Sequence, residues 1–390
     1  MDRVRRRGLT AILVLGALAA PAAAHAVDYA PVDRPGPALS VAQDKLDASL
    51  ACSGGLSGVG RAPVLLVPPT SVEPQTSYSW NWEPALDKLG IPWCAVTVPE
   101  KTLGDIQVAG EYVVHAVRTM HARAGRQIAI IGHSQGGMLP RWALRFWPDT
   151  RAMVDDVIGF AASNHGSTAG PDPACTPQCP AAHYQQHAGS NFNGALNSGQ
   201  ETFPGISYTE VYTHNDEVVT PNADDNGSSS VHGGGGEITN VALQDICPLD
   251  LSEHFAIGTT DAVAYALAID ALSHPGPASE QTVLGMAPAL CLQPFQPGVN
   301  PLTVAVDEAV AAAALLSDYA AAARPAAEPP LRCYVFAAGC PAQSATTVAA
   351  KPKKKCRKRK RGKRAHHARK RCKHKKAKCC AHKRHGKHRA

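Results

Sequence analysis

The stretch Gln127-Ile128-Ala129-Ile130-Ile131-Gly132-His133-Ser134-Gln135-Gly136-Gly137-Met138 decides the fold of this chain. Its first five residues form a short apolar run, the pattern of a strand covered on both faces in a parallel sheet. Gly132-His133-Ser134-Gln135-Gly136 is a G-x-S-x-G turn, and the residues after it up to Phe146 read as a helix. Strand, sharp turn and helix in that order strain the serine backbone and leave its Oγ exposed. The two glycines let strand and helix approach with no side chain between them. The helix N-terminus offers backbone N–H groups and the positive end of its dipole to a developing oxyanion. Pro140 removes one backbone donor from that helix and predicts a kink in its first turns, leaving the turn itself intact.

Outward from this motif, Pro63-Val64-Leu65-Leu66-Val67-Pro68 reads as a second buried strand, and residues 154–161 and 207–212 as two more. Helical patterns cover residues 40–50, 102–123 and 304–324, with Pro325 stopping the last. Strands alternating with helices predict an α/β fold, a mostly parallel sheet flanked by helices. Residues 163–204, rich in Gly, Pro, Ser and Asn, read as an elaborated loop with short helices. Residues 222–236, ending in four glycines, read as a second, flexible loop.

A nucleophilic serine needs a histidine to take its proton and an acid to hold that histidine. With this motif the acid, then the histidine, follow the serine along the chain. Asp216 lies just beyond the 207–212 strand, at its carboxyl end, with Glu217 as its immediate competitor. His254, in Leu251-Ser252-Glu253-His254 ahead of a helix beginning near Thr260, ranks first among the histidines. His274 and His232 are its rivals, and the glycine-rich loop around His232 suits a positioned base poorly. The loop Pro69-Thr70-Ser71 follows the 63–68 strand. Its backbone N–H, with that of the residue after the nucleophile, makes Thr70 and Gln135 the candidate oxyanion donors. The competing reading makes Thr70 a turn residue that satisfies its own backbone.

The 390 residues are 44% apolar, enough for a substantial core in one large domain or two modest ones. Residues 1–26 carry four arginines, an apolar run and the small-x-small site Ala24-His25-Ala26, the layout of a secretory signal peptide. The apolar run is too short for a comfortable membrane span. The net charge of +7 hides two opposite parts. Residues 27–350, the expected catalytic domain, hold 13 basic and 31 acidic residues, whereas residues 351–390 hold 22 basic residues and no acid. The tail is therefore expected to be disordered in isolation and to meet an anionic partner, such as a cell-wall polymer or anionic lipid. It has no aromatic residue on which bases would stack, which disfavours nucleic-acid binding as the main function. A protein whose function lies in surface binding by this tail is the reading from another class. The intact order of serine, acid and histidine argues against it.

Twelve cysteines in an exported chain predict disulfides, and eight of them lie before the tail. Cys175, Cys179, His183 and His187 recur every four residues, a spacing that admits zinc on a helix. Pro177 and Pro180 interrupt that helix, so a small disulfide and no metal is the expectation.

These residues resemble the lipase B family. Pro63 to Pro68 with Thr70 and Pro74-Gln75 is similar to its oxyanion segment. Ser134-Gln135-Gly136-Gly137 with Trp142 and Phe146-Trp147-Pro148 is similar to its nucleophile segment. Asp216-Glu217-Val218-Val219 with Pro221 is similar to its acid segment, and Cys52, Cys94, Cys247, Cys291 and the Ala-rich residues 310–316 also match. The resemblance covers most of residues 40–340. It implies an α/β-hydrolase fold and cleavage of carboxylic esters without a cofactor, as a triacylglycerol lipase or carboxylesterase, with a polyester or phospholipid hydrolase as the alternative. It implies Ser134 as nucleophile, Asp216 as acid and His254 as base, Thr70 and Gln135 as the oxyanion hole, and disulfides Cys52–Cys94 and Cys247–Cys291. The resemblance further implies Cys333–Cys340 as a shortened version of the family's last bridge. The chain departs from the family at Pro69, where the family has glycine, at His133 beside the nucleophile, and at Tyr319. His133, Leu316 and Tyr319 are accordingly the expected substrate-binding positions. Cys175, Cys179 and the tail are additions.

Overall fold

The computed structural model describes residues 27–340, apart from Val59, residues 170–174 and Thr176. The expected signal peptide and the basic tail lie outside the described residues. Seven strands form one sheet: β1 Leu50–Cys52, β2 Val64–Val67, β3 Trp93–Val96, β4 Ile128–His133, β5 Val154–Phe160, β6 Ser207–Tyr212 and β7 Glu237–Ala242. Their order is β1-β3-β2-β4-β5-β6-β7. β1 runs antiparallel to β3, and every other pairing is parallel.

The continuous apolar runs are explained by burial on both faces. Leu65, Val67, Ile128 and Ile130 point into one core, packed against the helices Ile106–Ala124 and Gln135–Phe146. Val64, Leu66, Ala129 and Ile131 point into the other, against Trp82 and the helix Ala262–Ala271. Side chains alternate along each strand, so one apolar sequence feeds both layers. Among the described residues no helix is long and apolar enough to cross a membrane.

Disulfides join Cys52 to Cys94, Cys175 to Cys179, Cys247 to Cys291 and Cys333 to Cys340. The first links neighbouring strands where Cys52 faces Cys94 across the β1–β3 pair. In the chain-entropy picture a loop of that size contributes roughly 3–4 kcal/mol.

The structure departs from the sequence expectation at residues 222–236. Ser228, Ser229, Ser230 and Val231 are buried. Asn222 both accepts from Ser229 N–H and donates to Ser229 Oγ, at 3.0 and 2.9 Å. Residues 227–231 thus pack inward, while residues 223–226 and 232–235 are exposed. His254 precedes the expected helix, Ala262–Ala271, and also opens a short helix of its own, His254–Thr259.

Candidate active site

Ser134 stands at the end of β4 with φ 56° and ψ −123°, and the helix Gln135–Phe146 starts at the next residue. Such backbone angles cost a non-glycine residue roughly 1–3 kcal/mol and persist only where the surroundings impose them. The glycines show how they are imposed. A β-carbon on Gly132 would lie 2.0 Å from the Gly136 carbonyl oxygen, and one on Gly136 would lie 2.1 Å from that of Val67. Strand, helix and the end of β2 therefore meet backbone to backbone. Pro140 sits inside the helix, which continues through it.

Asp216 lies beyond the end of β6, buried. One of its oxygens accepts the N–H groups of Val218 and Val219 at 2.9 and 2.7 Å. Nδ1 of His254 lies 2.9 Å from one Asp216 oxygen and 3.0 Å from the other. A carboxylate here can only accept, so Nδ1 carries the proton and Nε2 is left as the acceptor. Glu217 is separated from this pair by geometry: its carboxylate accepts the His254 backbone N–H at 3.3 Å. The rival histidines have other partners. His274 bonds Asp270 at 3.1 Å, and the His232 backbone donates to Glu201 at 2.7 Å.

Ser134 and His254 line a common cavity of about 980 Å³, together with Thr70, His133, Leu316 and Tyr319. Gln135 begins the helix, where backbone N–H groups lack intrahelical acceptors. Of the expected substrate-binding residues, Leu316 is well exposed on the helix Val304–Ala321. Tyr319 bonds Cys175 Sγ at 3.3 Å and His183 Nδ1 at 3.4 Å. His133 is buried, and its Nε2 lies 2.7 Å from the His254 carbonyl oxygen. Cys175, Cys179 and His183 bring their ligand atoms within 4.8 Å of one another, but the two sulfurs are bonded to each other and not available as thiolates.

Comparison with known proteins gives this arrangement its context. A model of the class 2 lipase family matches residues 112–254. Lipase B of Pseudozyma antarctica is 32% identical over 289 residues, 73% of this chain and 81% of that protein. The chain belongs to the lipase B family. The crystal structure of Aspergillus fumigatus lipase B superposes with a TM-score of 0.71 at 27% identity, covering 78% of this chain and 75% of that one. This lipase thus has the α/β-hydrolase fold and is a carboxylic ester hydrolase acting on ester or lipid substrates.

Sequence reasoning missed three residues of this lipase's site. Asn222 places Nδ2 3.4 Å from Asp216 Oδ2 while bonding Val219 and Ser229. Gln186 and Ser163 line the cavity and bond each other at 3.0 Å. All three come from polar, irregular stretches with no periodicity or motif to single them out.

Proposed function

We propose that this lipase works through an acyl-enzyme on Ser134. Ser134 Oγ attacks the ester carbonyl while His254 Nε2 takes its proton, and Asp216 orients the imidazole and stabilises the imidazolium. The carbonyl electrons move onto oxygen, where the N–H groups of Thr70 and Gln135 and the Thr70 hydroxyl receive the charge. As the C–O bond breaks, His254 returns the proton to the leaving alcohol. Water then attacks the acyl-enzyme with His254 again as base, freeing the acid and restoring Ser134. The observation that carries this reading is that His254, held by Asp216, shares one cavity with a serine held at positive φ.

The cavity's apolar lining, with Val72, Val218, Phe255, Leu315 and Leu316, suits an acyl chain. Triacylglycerols and simple carboxylic esters are the proposed substrates, with polyesters and phospholipids as alternatives for the same residues. The signal-like residues 1–26 and four disulfides support export to an oxidising compartment. The 22 basic residues of 351–390 support retention on an anionic cell-wall polymer or anionic lipid.

The test is hydrolysis of p-nitrophenyl esters from acetyl to palmitoyl by wild type and Ser134→Ala, with fluorophosphonate labelling of both. Activity and label lost together in the variant support the reading. Equal activity in both overturns it. Deleting residues 351–390 should leave solution activity intact and weaken retention on anionic surfaces, most at low salt and less as salt screens the tail. Retention unchanged by the deletion would overturn the role of the tail.

A further inference from the structure

The Thr70 hydroxyl carries one proton, and two oxygens compete for it: the developing oxyanion and the side-chain oxygen of Gln186. The contacts of Gln186 decide the contest. Its side-chain nitrogen lies 3.3 Å from the Ala182 carbonyl oxygen, which can only accept, so this atom must be the amide N–H₂. The same nitrogen lies 3.0 Å from Thr70 Oγ1. The amide oxygen, on the other side, accepts from Ser163 Oγ at 3.0 Å and lies 3.5 Å from Thr70 Oγ1, at the outer limit of a hydrogen bond. Thr70 therefore receives a bond from Gln186, and its own proton is left for the cavity that Thr70 and Ser134 both line.

The surroundings hold this arrangement in place. The Gln186 N–H donates to Ala182 at 2.9 Å, and its carbonyl accepts from Ser167 at 2.8 Å. Ser163 is buried just after β5. A hydroxyl that accepts a hydrogen bond is also polarised into a better donor.

We propose that Gln186 is a positioning residue for ester hydrolysis: by donating to Thr70 Oγ1 it aims the Thr70 proton at the oxyanion, and Ser163 locks its amide in that orientation. The inference rests on the proposed role of the Thr70 hydroxyl. An ionised carboxylate at position 186 would reverse the bond, since it can only accept and would draw the Thr70 proton to itself. Once protonated, it could donate again.

The test is a double-mutant cycle of Gln186→Glu and Thr70→Val in the full chain, followed from pH 5 to pH 9 with p-nitrophenyl butyrate. Thr70→Val should lower kcat about 10- to 100-fold. Gln186→Glu alone should lower kcat about 10-fold at pH 8 with KM nearly unchanged, and in the Thr70→Val background by less than about 2-fold. The Thr70→Val background carries the same added charge, so it subtracts any effect of that charge on His254. The coupling should shrink toward pH 5 as the new carboxyl protonates. Ser163→Ala, which frees the Gln186 oxygen to take the Thr70 proton, should show a smaller loss that also vanishes in the Thr70→Val background. Additive losses at every pH, or a Gln186→Glu enzyme as active as wild type, would overturn the proposal. Full kcat in Thr70→Val would instead remove the hydroxyl from the oxyanion hole, a separate failure.

Discussion

His133 holds the backbone of His254: its Nε2 lies 2.7 Å from the His254 carbonyl oxygen. A carbonyl only accepts, so His133 must carry its proton on Nε2. Burial, with the nearby His254 adding to it, pushes the His133 imidazole down to about 3. The residue beside the nucleophile is thus a neutral brace for the proposed base. Gly258 makes room for it, since a β-carbon there would lie 2.3 Å from His133 Cγ. His133→Phe keeps a ring of similar size but removes the donor. It should cost about 1 kcal/mol of stability in denaturant unfolding and lower kcat several-fold. Its pH–rate profile should keep the wild-type limbs, because His133 does not titrate where the enzyme works. A shifted acid limb would show that His133 is protonated during turnover.

The turn around Ser134 tolerates no β-carbon on its glycines. Gly136→Ala would put one 2.1 Å from the Val67 oxygen and 2.6 Å from that of Pro68, both backbone atoms that cannot swing aside. The end of β2 leads into the Thr70 loop, so the clash reaches both proposed oxyanion donors. Fluorophosphonate labelling of Gly136→Ala should be at least about 100-fold slower than wild type, with loss of several kcal/mol of stability. Labelling at the wild-type rate would mean that the turn is looser than its φ and ψ require.

The strands that carry this turn were legible because burial on both faces writes itself as an apolar run, as in Val64-Leu65-Leu66-Val67 and Ile128-Ala129-Ile130-Ile131. β1, which begins at the end of the helical pattern over residues 40–50, escaped notice, as did β3 and β7. Trp93-Cys94-Ala95-Val96 opens on a half-buried tryptophan and continues through Cys and Ala, so it lacks the run of large aliphatic residues that marks β2, and Glu237-Ile238-Thr239-Asn240-Val241-Ala242 is a half-exposed edge strand behind a run of glycines. The catalytic candidates were legible through motif and chain order, which brought Ser134, Asp216 and His254 forward before any geometry. Residues that act through another side chain leave no such trace. The choice between Asp216 and Glu217 likewise depends on which carboxylate meets a ring and which meets a backbone N–H.

Asn222 supports Asp216 from the side away from the two backbone donors, with Nδ2 3.4 Å from Oδ2. Asn222→Asp replaces that donor with a second carboxylate in a buried position. Like charges at this distance repel, and the added negative charge favours the imidazolium form of His254. The acid limb of kcat/KM should therefore move to higher pH, and kcat/KM at pH 7 should fall about 10-fold. A profile that stays in place while activity drops would point to simple misplacement of Asp216.

Glu210 gives a stability prediction with a definite sign. It lies on β6 opposite Gly159 of β5, fully buried, and a β-carbon on Gly159 would lie 2.1 Å from its Oε2. Burial raises its carboxyl from an ordinary value near 4.5 to about 8, outweighing the attraction of Arg141. Below about pH 4.5 the folded and unfolded chains both hold the proton, and stability does not depend on this group. As pH rises toward 8 the unfolded chain releases the proton and the folded protein keeps it, so wild type loses stability across that window. Above about pH 8 both forms are ionised and the loss levels off. Glu210→Gln has no such dependence and keeps a neutral side chain of nearly the same shape. The stability of wild type relative to Glu210→Gln should fall by about 3–5 kcal/mol between pH 4.5 and 8 in denaturant unfolding. A difference that rises with pH instead would mean that Glu210 is ionised in the folded protein and that its pairing with Arg141 outweighs burial.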